Sequence, residues 1–191
     1  VVSTAKRPAT YEDLLQVPDN LIAEIVEGEL FTSPRPAGPH ERAGGGIYSK
    51  LRPAFDDGEG PGGWWIAFEG ELHLAADVLV PDLSGWRRAR VPAYPIGGAA
   101  ARIAPDWICE VISPSTGRFD RMKKLPAFAR HGVGYAWLVE PLLQTIEVFQ
   151  LVNGGWTLLN VHGGDETARI EPFEAYEFSL ATLWLPNTPA A

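Results

Sequence analysis

The chain is poor in cysteine and lacks any long apolar run. Its 191 residues include a single cysteine, Cys109, which excludes an internal disulfide and a cysteine-built zinc site. No stretch approaches the roughly 20 apolar residues that a membrane-crossing helix needs. The opening Val-Val-Ser-Thr does not resemble a signal peptide, and with the lone thiol the expected address is cytoplasmic. No internal repeat or linker divides the chain. One domain is therefore expected over residues 10–186, between an N-terminal arm, 1–9, and a C-terminal tail, 187–191. Basic residues are in deficit too: the net charge of −8, taken as a total, argues against nucleic acid.

The distribution of charge reverses that reading. Residues 131–191 carry seven acids against one base, Arg169. Residues 84–130 carry nine bases against three acids, Asp106, Glu110 and Asp120. A phosphate backbone responds to the local field rather than to the total. Arg118, Arg121 and Lys123 are therefore candidate substrate contacts. The competing reading is a solvated helix face beside a loop.

What the chain does have is a strand–helix–strand unit at its centre. Trp107 to Ile112 reads as a buried strand with one embedded carboxylate, Glu110. From about Arg118 to His131 the pattern is helical, with Met122, Leu125 and Ala129 at helix spacing, and Gly132 ends it. Tyr135 to Val139 is a second strand, so the unit is a right-handed crossover between parallel strands. Earlier in the chain, Tyr11 to Val17 is a short helix opened by Thr10. A hairpin turns at Glu27-Gly28, its first strand, Leu21–Val26, carrying Glu24. A helix covers His40 to Phe55 despite Gly44-Gly45-Gly46. Trp64 to Leu74 and Asp77 to Leu83 read as paired strands. Arg87 to Ala104 is a long loop, and Asn153-Gly154-Gly155 turns a second hairpin. The fold class is mixed α+β: a mixed sheet flanked by helices, with the site at one sheet edge.

A carboxylate inside a buried strand is costly unless partnered. Glu24, Asp82 and Glu110 all stand in or beside apolar strands. A single such acid is most often structural, but converging carboxylates supply the hard oxygen ligands that Mg²⁺ or Mn²⁺ prefers. A nearby lysine can then stabilise growing negative charge. Lys124 lies four residues after Asp120, on the same helix face, and Lys123 is its competitor. A metal-free hydrolase built on two carboxylates, as in glycosidases, is the weakest alternative.

Pro81-Asp82, then Glu110-Val111-Ile112-Ser113-Pro114-Ser115-Thr116, then Asp120 with Lys124, Phe128 and Gly132-Val133 resemble the Uma-two family of restriction endonucleases, within the PD-(D/E)XK nuclease superfamily. Glu24 to Leu30, the Pro-x-x-x-His ending at His40, and Trp137 to Pro141 extend the resemblance from Thr10 to about Leu185. It implies a restriction-endonuclease-like fold and a metal-dependent endonuclease that hydrolyses DNA by metal-activated water. It also implies that Asp82, Glu110 and the Val111 carbonyl hold the Mg²⁺ or Mn²⁺ ion. Lys124 would be the catalytic lysine, Glu24 a further acid, and His40 a phosphate or water contact. DNA is the expected partner, no membrane is involved, and a homodimer would suit cutting two strands. The sequence departs from the superfamily pattern at Ile112, where the lysine two residues after the glutamate is missing, and Pro126 interrupts the helix just past Lys124. Those departures support the alternative of a catalytically silent nuclease-like module that binds nucleic acid or protein.

Overall fold

A computed structural model describes residues 7–35, 38–98 and 100–186. The expected C-terminal tail and residues 1–6 of the expected arm lie outside the described residues. Helix α1 (Tyr11–Leu14) is opened by a reciprocal cap between Thr10 and Asp13. Strands β1 (Leu21–Val26) and β2 (Glu29–Pro34) form the expected hairpin around Glu27 and Gly28, both with φ in the left-handed region, at 54° and 76°. Helix α2 (Pro39–Phe55) runs through its three glycines, of which Gly46 is the tightly packed one. A Cβ on Gly46 would stand 2.9 Å from Leu183 Cδ2, so only glycine lets the C-terminal turn Leu180–Leu183 approach this closely.

The next region departs from expectation. Instead of two long paired strands, the chain makes four short ones: β3 (Trp64–Phe68), β4 (Leu72–Leu74), β5 (Asp77–Leu79) and β6 (Leu83–Arg87). Glu69, with φ at 49°, breaks the first run, and Pro81 breaks the second. Each break moves the chain from one sheet to another. β3 pairs with β6, and β4 pairs with β5. The loop that follows is pinned rather than loose: the Trp65 indole donates to Val91 O and the Trp86 indole to Ile103 O, both at 2.9 Å.

The central crossover is present. Strand β7 (Trp107–Val111) is followed by α3 (Gly117–Phe119), a π-helical turn (Asp120–Lys124) and α4 (Leu125–Arg130). The chain then returns as β8 (Tyr135–Glu140), parallel to β7. Gly132, at φ 75°, closes α4: its N–H donates to Ala129 O, and that of Val133 donates to Phe128 O. The buried face differs from the sequence reading. Met122 is 60% exposed, while Asp120, Lys124, Leu125, Ala127 and Phe128 are buried. β9 (Thr145–Val152) and β10 (Gly155–Gly163) form the second expected hairpin, and the short β11 (Thr167–Ala168) and β12 (Phe178–Ser179) pair nearby.

Among the described residues these strands assemble into a mixed sheet, β10-β9-β8-β7-β6-β3, a four-stranded antiparallel sheet, β2-β1-β5-β4, and the β11-β12 ribbon. The side-chain period of a strand divides β7 between two cores. Trp107, Cys109 and Val111 pack with Ile47, Leu51 and Phe55 of α2. Ile108 joins the opposite core, with Leu79, Trp86 and Phe128. Glu110 shares the face of Ile108 and so lies on the side of α4 and the smaller sheet.

Candidate active site

The site forms where the chain steps from the smaller sheet to the larger one. Pro81 has no N–H to offer a ladder, and its neighbours bond across the gap instead. The Val80 N–H donates to Glu24 Oε1 at 2.8 Å, and the Val111 N–H donates to Asp82 Oδ2 at 2.7 Å. Glu24 thus belongs to β1, Asp82 to the step before β6, and Glu110 to β7. Contrary to the expectation of a sheet edge, the acids lie between two sheets, with Glu110 on an interior strand.

Lys124 reaches in from the π-helical turn. Its Nζ donates to Val80 O and to Glu110 Oε2, each at 2.9 Å, and lies 3.1 Å from Glu24 Oε1. The helical position therefore supplies a lysine where Ile112 cannot. Lys124 is the one buried cation among the described residues, against buried Glu24, Glu110 and Asp120 around the same cleft. Burial acts to lower the Lys124 pKa, but Glu110 and Glu24 outweigh it and hold the ammonium charged. Burial drives the Glu110 carboxyl well above its usual range, against the pull of Lys124 and reinforced by Asp82, Asp120 and Glu24. Burial likewise pushes Asp120 up to about 6. Glu110 Oε1 also lies 2.9 Å from the ammonium but finds no aligned hydrogen-bond donor among the described residues. The site holds more negative charge than its lysine can balance.

A cleft of about 150 Å³ gathers Glu24, His40, Asp82, Glu110, Val111 and Lys124. His40, in the first turn of α2, places Nε2 3.3 Å from Asp82 Oδ2. Sequence reasoning missed Arg35 and the Ser113, Ser115 and Thr116 hydroxyls, which also line the cleft. The turn cluster after Glu110 was the available signal for the hydroxyls; nothing local marked Arg35. The basic candidates divide. Arg118 lines an adjoining groove, Lys123 pairs with Glu27 at 3.2 Å, and Arg121 turns towards Glu147, 3.8 Å away. Arg88 and Arg90 of the basic segment are also engaged, by Asp56 and Asp106. The positive window is thus largely neutralised in place. Among the described residues no group of three or more His, Cys, Asp or Glu side chains is already arranged as a cation cage, and no helix is long and apolar enough to cross a membrane.

Comparison with known proteins gives the fold and the family. One of the solved structures that match is from Anabaena variabilis ATCC 29413 and is described as "a putative nuclease belonging to DUF820". It superposes with a TM-score of 0.73 at 23% identity, covering 92% of this chain and 97% of the other, which shows a shared restriction-endonuclease-like mixed α+β fold. No curated protein matches significantly. The sequence matches the Uma2 family, described as "Putative restriction endonuclease", over residues 8–183, and the chain therefore belongs to the Uma2 family.

Proposed function

We propose that this chain is a divalent-metal-dependent endonuclease that hydrolyses DNA phosphodiester bonds with water as nucleophile. The observation that supports it most is the charge imbalance of the cleft: carboxylates from three separate segments face a single buried lysine. Carboxylate and carbonyl oxygens are the donors Mg²⁺ and Mn²⁺ favour, and Glu110 Oε1, buried and without an aligned hydrogen-bond donor, is an oxygen that a cation would satisfy. The residues present fit such an ion, held by Asp82, Glu110 and the Val111 carbonyl. When bound, it supplies Lewis acidity that acidifies a water and offsets charge on a phosphoryl oxygen.

The chain's own residues account for the rest. Lys124 presents a fixed positive charge at the cleft floor, where negative charge grows on the phosphorus oxygens. Glu24 holds Lys124 and the Val80 amide together. His40 and Arg35, at the cleft wall, receive flanking phosphates, with Arg118 in the adjoining groove. Hydrolysis adds water across one P–O bond and leaves a phosphate monoester and a hydroxyl. Cutting both strands of a duplex takes two such sites, which two copies of the chain would supply.

Asp82→Ala and Glu110→Ala should each abolish magnesium-dependent plasmid cleavage, while circular dichroism retains the native spectrum. Asp82→Asn, which keeps an acceptor for the Val111 amide, guards against loss of fold. Cutting unchanged in all three variants refutes the proposal. One observation favours a silent binding module instead: Lys124 already makes contacts with Val80, Glu24 and Glu110. Calorimetry separates the two readings, since magnesium or manganese heat that vanishes in Glu110→Ala supports catalysis, and absence of any metal heat supports the silent module.

A further inference from the structure

Beside the carboxylate cleft lies a second concavity, of about 400 Å³. The two share Glu24, Ser33, Ser115, Thr116 and Phe119 as walls. Its character differs from that of the first. Phe31 and Phe119 lie in contact with ring centroids 4.5 Å apart and planes inclined at 37°. Met122 lines the same concavity and is 60% exposed, whereas Leu125, Ala127 and Phe128 of the following turns are buried. An exposed methionine beside two half-buried phenylalanines is an unusual expense of apolar surface. At the rim, the Arg118 guanidinium lies over this methionine, Nε to Sδ 3.4 Å, and pairs with no carboxylate among the described residues. Thr32 and Ser33 from β2, with Ser115 and Thr116 opposite, add hydroxyls able to donate or accept.

We infer that this groove receives an unstacked nucleobase of the substrate strand, next to the phosphate held in the carboxylate cleft. The inference rests on the nuclease reading for the class of its ligand. The volume accommodates a base with its sugar. The aromatic rings offer the π-face on which single-stranded binders stack bases irrespective of sequence. The hydroxyls meet the base edge, and Arg118 meets the backbone phosphate as the strand leaves the groove. A base inside a duplex is stacked on its neighbours and cannot enter without being extruded, which costs unpairing energy. The preferred substrate is therefore DNA with an unpaired nucleotide at the cut: a single strand, a gap or a flap. An apolar peptide side chain would fill the same walls, but it would leave Arg118 and the shared boundary with the phosphate cleft without a purpose.

The test measures binding in calcium buffer by fluorescence anisotropy, using a single-stranded oligonucleotide, the same strand with abasic sites, and the matched duplex. The intact single strand should bind about tenfold tighter than the abasic strand, and tighter than the duplex. Phe119→Leu keeps the apolar volume and removes the π-face, so it should erase most of the intact-to-abasic difference. Met122→Ala, a change at an exposed side chain that leaves the core untouched, should weaken the intact strand alone. Equal affinity for intact and abasic strands overturns the inference, and magnesium-dependent cleavage in that case leaves the nuclease reading standing. Base-dependent binding without cleavage does the opposite, and failure to bind any of the three overturns both.

Discussion

Lys124 is the residue on which the arrangement turns. An ammonium that is 4% exposed, against a carboxylate that is 2% exposed, is tolerable only as a pair. Lys124→Met should therefore cost about 3–5 kcal/mol by stranding Glu110 and Glu24, and Glu110→Gln should cost less, because Glu24 still partners the lysine at 3.1 Å. The double variant, which leaves two neutral side chains of similar size, should lose less than the two single losses added together. Urea unfolding at pH 7 without divalent cations gives all four corners of the cycle, and additive losses would mean that the two groups are not coupled. The identity of this lysine was readable from the sequence, but its environment was not. Even-numbered residues of β7 share a face, so Glu110 and position 112 point into the same layer. Ile112 is buried there with Leu125 and Phe128. A helix packed on that layer can deliver the missing ammonium from the opposite side, and Lys124 does so. The charge count along the sequence was less informative. Arg88 and Arg90 look like a phosphate-binding patch in the linear sequence, yet each is engaged by an acid more than ten residues away.

At the scale of the element, the π-helical turn explains both why the helix was legible and why its face was not. The sequence places a helix from Arg118 to His131, and the structure has helical geometry from Gly117 to Arg130. A uniform 3.6-residue period selects Met122, Leu125 and Ala129 as the inner stripe. The actual turn closes with the Leu125 N–H donating to Asp120 O, five residues back. That extra residue shifts the helical phase by about 100° between the residues before and after it, and Lys124, at the end of the turn, is buried with Leu125 and Phe128. Pro126, two residues past Lys124, has no N–H to offer the Met122 carbonyl. Its ring would collide with the Met122 carbonyl in a regular α-helix, and the wider turn removes the collision. Pro126→Ala relaxes that constraint. The variant should keep its stability to within about 1 kcal/mol while cleavage falls about tenfold or more, because a small misplacement of the lysine is enough to cost that much. Steady-state cleavage together with a thermal melt checks it, and full activity would show that the π-helical turn does not aim Lys124. The four short strands were illegible for a related reason. Trp64 to Leu74 and Asp77 to Leu83 are apolar runs interrupted at Glu69-Gly70 and Pro81-Asp82, and pattern alone does not reveal that each run serves two sheets.

At the scale of the whole molecule, the cleft exists because two sheets are held at a fixed separation. Beyond the Lys124 contacts, the smaller sheet is tied to the crossover helix by ion pairs: Lys123 and Arg130 on Glu27, at 3.2 and 3.1 Å, and Arg130 and His131 on Asp77, at 3.3 and 2.8 Å. Glu27 and Asp77 are joined in turn, since the Glu27 N–H donates to Asp77 Oδ1 at 2.8 Å. Burial acts to raise the Asp77 carboxyl, but the Glu27 amide, His131 and Arg130 together hold it below the usual carboxylate range. A carboxyl lowered by folding stabilises the native state in full above its unfolded pKa, about 3.9, and that contribution disappears as pH falls through the lower folded value. The tie between the sheets should therefore weaken in acid, below about pH 4, and stay intact across the neutral range. Asp77→Asn keeps an acceptor for the Glu27 amide but loses the charge. It should be less stable than the parent at pH 7 by about 1–3 kcal/mol, and the gap should close as pH drops below 4. Urea midpoints of both proteins between pH 7 and pH 2 measure this directly. A constant difference across that range would mean that Asp77 acts by shape rather than charge, leaving the spacing of the two sheets, and with it the cleft, to the Glu27 pairs, the Lys124 contacts and apolar packing.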